Sequence, residues 1–171
     1  SGEHEGYWKD AVTRMAFQTG QKEYIDKVHQ WIQDIINHSG KDGYIGIYRD
    51  CEQQGCRFRH KRGNGELWTT SRILMALLAY HEFTNDKKAL EAAEKAAKLI
   101  IKHYKDTNYF AKKLFGGGVS HGVGFFENLE WLYRITENQD YLNFAVKLYD
   151  DFNKGHVRDD DFQIRHLLDK A

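Results

Sequence analysis

The sequence predicts an all-α protein built from αα-hairpin repeats that close toward an α/α toroid, and three observations carry that prediction. Its 171 residues contain no proline, the residue that breaks helices by lacking an N–H and clashing with the preceding turn. Three segments align on a shared threonine, at Thr19, Thr84 and Thr136. On both sides of each threonine, apolar residues recur at helical spacing.

Each element follows from that alignment. Seven and four residues before the threonines stand Val12, Leu77 and Leu129, then Met15, Tyr80 and Leu132. Six and nine residues after them stand Ile25, Leu90 and Leu142, then Val28, Ala93 and Ala145. Each set marks one face of a helix, and the polar TGQK, TNDK and TENQ between them read as tight turns. Hairpins are therefore expected at about 5–39, 66–104 and 122–154 of a single domain over 1–171. The first helices begin with large aromatics (Trp8, Trp68, Phe125, Phe126), whereas second helices such as KKALEAAEKAAKLIIKHYK are more charged. That asymmetry suits an inner and an outer ring and favours a toroid over an open solenoid.

The inserts between hairpins are longer than the turns within them. Residues 40–65 hold DGYIGIYRD and CRFRHKR, two alternating runs that predict a small β-hairpin across EQQG. Asp42-Gly43 reads as a turn before the first run. Cys51, Cys56 and His60 offer three metal-ligand types without a well-spaced fourth, so a small disulfide or two free thiols outweigh a zinc site. The second insert, around 105–124, carries GGGVSHGVG. Its glycines permit the sharp turn into the third hairpin and present His121 at the mouth of a first helix.

Charge and hydropathy narrow the function classes. Lys plus Arg and Asp plus Glu both number 25, so no net charge draws the chain to nucleic acid or an anionic membrane surface. No apolar run approaches the roughly 18 residues of a membrane span, and the N-terminus shows no signal-peptide pattern and looks like a cut. His4, Glu5, Glu66 and His121 stand at the same end of successive first helices, where a toroid gathers a site. The carboxylates Glu5, Asp42, Glu66 and Glu127 invite a two-carboxylate glycosidase reading, although charged residues are common throughout the chain. Trp8, Trp131 and Phe126 read as core, while Trp68 and Phe125, at helix starts, are candidates for stacking on a sugar ring.

GEHEGYWKDAVTRMAFQTGQKEYIDKV, DGYIGIY, ELWTTSRILMALLAYHEFTNDKKALEAAEKAAKLI and SHGVGFFENLEWLYRITENQDYLNFAVKLYDDF, in that order, resemble the helical catalytic domain of glycoside hydrolase family 127, the β-L-arabinofuranosidase-like proteins. The resemblance implies about half of an (α/α)6 toroid, with β-sandwich regions beyond it in the family. It implies part of a hydrolase acting on plant-type or bacterial glycans, with Glu66, Trp68, Arg72, His121 and Phe125 near the sugar. The family's zinc-held cysteine nucleophile and glutamate acid/base lie in a segment without counterpart here, so no cofactor and no metal site are expected in this chain. The partners expected are carbohydrate, and either a second copy or the remainder of the domain, because half a toroid exposes apolar inner faces. Analogy with glycan-degrading enzymes points to the periplasm or to secretion. Two rival readings stand beside this one: a non-catalytic helical repeat that binds a protein or carbohydrate, and another toroid carbohydrate enzyme that uses the carboxylates and histidines already present.

Overall fold

The structure, a computed structural model, describes residues 2–53, 55–58, 65–107 and 124–153. Among these residues there are six helices and no strand: α1 (Gly2–Thr19), α2 (Lys22–His38), α3 (Glu66–Thr84), α4 (Lys87–Thr107), α5 (Phe126–Thr136) and α6 (Gln139–Asn153). The all-α class is therefore shown. No helix among them is long and apolar enough to cross a membrane.

The threonine register has a structural cause. Thr19, Thr84 and Thr136 each end a first helix and donate their hydroxyl to the carbonyl four residues back, at Met15 (2.8 Å), Tyr80 (2.7 Å) and Leu132 (2.7 Å). The next residues, Gly20, Asn85 and Glu137, are left-handed with φ of 69°, 56° and 54°. Their N–H groups donate to Ala16, His81 and Tyr133 carbonyls at 3.0, 2.7 and 2.7 Å. A left-handed residue closing the last turn satisfies orphan carbonyls and reverses the chain. The second helices then differ in their caps. Asp86 accepts from the Lys88 N–H (2.8 Å) and Asn138 from the Asp140 N–H (3.0 Å), whereas Gln21 makes no side-chain cap to α2.

Two compact units are present: Ser1–Ile47 with Thr69–Ile100, and Tyr48–Trp68 with Ile101–Ala171. In the first, α1 approaches α3 through glycines. A Cβ on Gly6 would lie 2.6 Å from the Arg72 Cβ, and one on Gly2 would lie 2.7 Å from Thr69 and Ile47 methyls. The core there is built from Val28, Ile32, Leu74, Leu77, Ala93 and Ala97. Asp42-Gly43 does form a turn. Gly43 has φ of 92°, its N–H donates to the Gly40 carbonyl (2.8 Å), and a Cβ on it would meet Lys95 at 2.6 Å. The buried Thr70 hydroxyl then donates to the Ile45 carbonyl (2.7 Å), tying the 40–47 loop to α3.

In the second unit the expected β-hairpin is replaced by turns and bends over its described residues. The physical reason lies in side chains that outbid a ladder. A disulfide joins Cys51 and Cys56 across a Cα separation of 5.6 Å, and Phe58, inside the second predicted run, takes a positive φ of 57°, which an extended strand cannot accommodate. One cross-pair remains, from the Arg57 N–H to the Arg49 carbonyl (3.0 Å). Arg57 also pairs with Asp50. The helical core of this unit contains Tyr104, Phe125, Leu129, Leu132, Tyr141 and Leu148. Tyr104 meets Phe144 edge-on at 5.2 Å.

Candidate functional site

Glu66, the first residue of α3, is 2% exposed, and its carboxylate receives the Phe58 N–H on both oxygens at 3.2 and 3.0 Å. An acidic group in a helix's first turn is favoured by the free N–H groups there. Here it also compensates the left-handed Phe58, whose ring stacks on His103 at 3.9 Å. The phenol of Tyr48 has its pKa raised above the ordinary value, first by burial and then by the negative charge of Glu66. Glu66 thus organises the 48–58 loop. Trp68 is half-buried two residues further along α3.

Arg72 belongs to the first unit, where its guanidinium lies over the Tyr7 ring at 5.3 Å and its Nε donates to the Ser71 hydroxyl at 3.2 Å. Phe125, just before α5, has no exposed surface and so presents no ring face to a ligand in this conformation. His121 and His60 lie outside the described residues. Of the expected polar groups near one end of the first helices, His4 and Glu5 are exposed on α1, and Glu5 pairs with Lys9 at 2.8 Å. Asp42 caps its own turn through the Tyr44 N–H at 3.2 Å, and Glu127 lies in the first turn of α5.

The first unit contains a cleft of about 300 Å³ whose lining includes Glu5, Lys9, Asp34, His38, Ile47 and Ile73. The His38 ring is oriented by a hydrogen bond of 2.7 Å between Nδ1 and the Asp34 carbonyl. Glu5 was legible as a candidate; Lys9, Asp34 and His38 were not. Their signal is the four-residue spacing of each pair, Glu5 with Lys9 and Asp34 with His38, which puts each pair on one helix face. The second unit holds another overlooked group, Asn128, fully buried on α5. Its Nδ2 donates to the Gly124 carbonyl at 3.3 Å, while its Oδ1 has no hydrogen-bond partner among the described residues. A buried amide oxygen left unpaired costs stability, and such groups concentrate where function requires them.

These helices present a cleft with carboxylate, ammonium and imidazole groups beside apolar walls. The comparisons give the class: the chain is glycoside-hydrolase-like. The family model described as "Beta-L-arabinofuranosidase, GH127 catalytic domain" matches residues 1–166, and the chain belongs to that family. No curated protein and no solved structure matches it significantly.

The zinc that the family implies can be tested against the residues present. Cys51 and Cys56 are joined to each other, so neither offers a thiolate. Among the described residues no three His, Cys, Asp or Glu side chains gather as a metal site. The described donors do not fit the ion.

Proposed function

We propose that this chain forms the sugar-binding part of a β-L-arabinofuranosidase-like hydrolase that acts on plant-type or bacterial glycans. The family match across residues 1–166 is the observation that carries the reading. In it, the three hairpins are half of an (α/α)6 toroid. The cleft beside Glu5 and Asp34 supplies acceptors for sugar hydroxyls, and the neutral His38 ring, whose Nδ1–H is engaged by the Asp34 carbonyl, offers Nε2 as a further acceptor. In this reading Trp68 of the second unit offers a stacking face and His121 a hydrogen-bonding ring, and Glu66 organises the 48–58 loop. Arg72 contributes a hydrogen-bond fork in the first unit.

Calorimetric titration with arabinofuranosides, other pentoses, hexoses and plant-type oligosaccharides tests this. Binding of an arabinofuranoside is the expected result; its loss in Asp34→Ala assigns it to the cleft of the first unit, and its loss in His121→Ala or Trp68→Ala assigns it to the second unit. Arg72→Ala tests the guanidinium separately. No binding of any sugar at millimolar concentration would remove the proposal. Arabinose release that persists in a chelator would instead favour a carbohydrate enzyme working through the carboxylates and histidines of this chain.

A further inference from the structure

The 48–58 loop of the second unit brings little apolar surface of its own into the core. Among its described residues Cys56 alone belongs to the buried hydrophobic set, at 7% exposure, while Glu52, Gln53 and Gly55 are exposed. A surface segment without a core stays ordered only through specific ties. Two of those ties meet at Phe58, whose ring stacks on His103 of α4 and whose N–H donates to the buried Glu66 carboxylate at the start of α3. Phe58 reaches them at a φ of 57°, a left-handed angle that a large side chain abandons once it is free to do so.

The disulfide sets the two legs of this loop side by side. Tyr48-Arg49-Asp50 runs into Cys51, and Arg57-Phe58 follows directly on Cys56. Across the bridge the Arg57 N–H donates to the Arg49 carbonyl at 3.0 Å, and the Arg57 guanidinium pairs with Asp50. The Asp50 side chain is 75% exposed, so that ion pair contributes little by itself. Both cysteines lie in the one loop, five residues apart, and the bond joins no helix to another. A ring so short removes little chain entropy from the unfolded state, so the bond restrains the loop far more than it supports the helices. Its two sulfurs also differ in access, since Cys51 is half-buried and Cys56 is buried.

We propose that the Cys51–Cys56 disulfide is a redox-sensitive clasp, which holds the 48–58 loop on the start of α3 when oxidised and releases it when a dithiol reductant opens it. One thiolate of the reductant attacks the Cys51 sulfur, the S–S bond breaks, and Cys56 leaves as a thiolate that takes up a proton. The second thiol of the reductant then attacks the mixed disulfide and frees Cys51 as a thiol. Two electrons and two protons pass to the chain, and the reductant ends as its own disulfide. With the legs no longer joined, Arg57 drifts from Arg49, Phe58 leaves the left-handed region, and the Glu66 carboxylate exchanges the Phe58 N–H for water. The helical core of the unit, with Tyr104, Leu129 and Tyr141, includes no residue of the loop and stays as it was.

Trypsin cleavage of the folded full chain after Arg49 and Arg57, read by mass spectrometry, reports the state of the loop. The air-oxidised chain should offer no thiol to an alkylating reagent, and after dithiothreitol both of its cysteines should react. Cleavage at the two arginines should then quicken about tenfold, with the helical circular dichroism unchanged. Reoxidation should restore the slow rate, and the double variant Cys51→Ser, Cys56→Ser should be cleaved at the fast rate in either buffer. Equal rates before and after reduction would overturn the proposal. So would alkylation of the air-oxidised chain, or loss of the helical signal on reduction or in the variant, which would make the bond a support of the whole unit.

Discussion

Glu66 shows how a single carboxylate can hold a loop that its sequence would otherwise leave loose. The Phe58 N–H, held at a backbone angle that costs a non-glycine residue free energy, donates to both oxygens of that carboxylate. Removing the acceptor strands a donor, whereas an amide still provides one oxygen. Glu66→Ala should therefore lower stability by about 3 kcal/mol and Glu66→Gln by about 1 kcal/mol, measured by urea denaturation. Faster proteolysis within residues 48–58 should accompany the alanine variant. Equal stability of all three proteins would mean that the carboxylate is not the tether. Tyr48 gives the loop an alkaline limit. Its folded pKa lies above the ordinary value of 10.0, so its contribution is complete below about pH 10 and is lost as pH rises through the folded pKa. Stability of the wild type should fall off above that point, and Tyr48→Phe should lack this part of the decline.

At the scale of elements, the hairpins were legible because three residues in each specify the turn. A threonine that bonds back to its helix, a left-handed residue and a polar N-cap recur in order, and the flanking apolar positions keep a 3.6-residue period. The 40–58 segment was misread for the converse reason. Its alternation matched a strand, but what shapes it is long-range: a disulfide, an ion pair and a carboxylate on α3, none of which a local period reports. The cleft beside Glu5 was only partly legible, since Lys9, Asp34 and His38 read as ordinary surface pairs until the fold sets them round one space. The repeat also shows where the first hairpin is incomplete. Gln21 occupies the position at which Asp86 and Asn138 cap their helices. Gln21→Asp should raise the stability of the chain by about 1 kcal/mol, seen as a higher urea midpoint with an unchanged slope.

At the scale of the whole molecule, exposed apolar surface is the feature that governs solution behaviour. Large side chains such as Trp8, Met15, Val146 and Tyr149 remain in solvent on helices whose repeat counterparts are largely covered. If copies cover one another, the folded state gains from mass action, and the melting temperature should rise with protein concentration. Scanning calorimetry over a hundredfold range of concentration checks this, and an unvarying midpoint would deny the coupling. Family membership needed no such detail, because it rests on a match along residues 1–166 and not on any one site residue.

The three turns carry a consequence of another kind. Gly20, Asn85 and Glu137 hold nearly one backbone conformation with unrelated side chains, so the junction is a standard fitting whose parts can be exchanged. Moving Thr84-Asn85-Asp86 into either other hairpin changes the chemistry of the corner and leaves its direction as it was. A chain with such joints can be lengthened by copying a hairpin whole, and the new unit would inherit the angle at which its neighbours already turn.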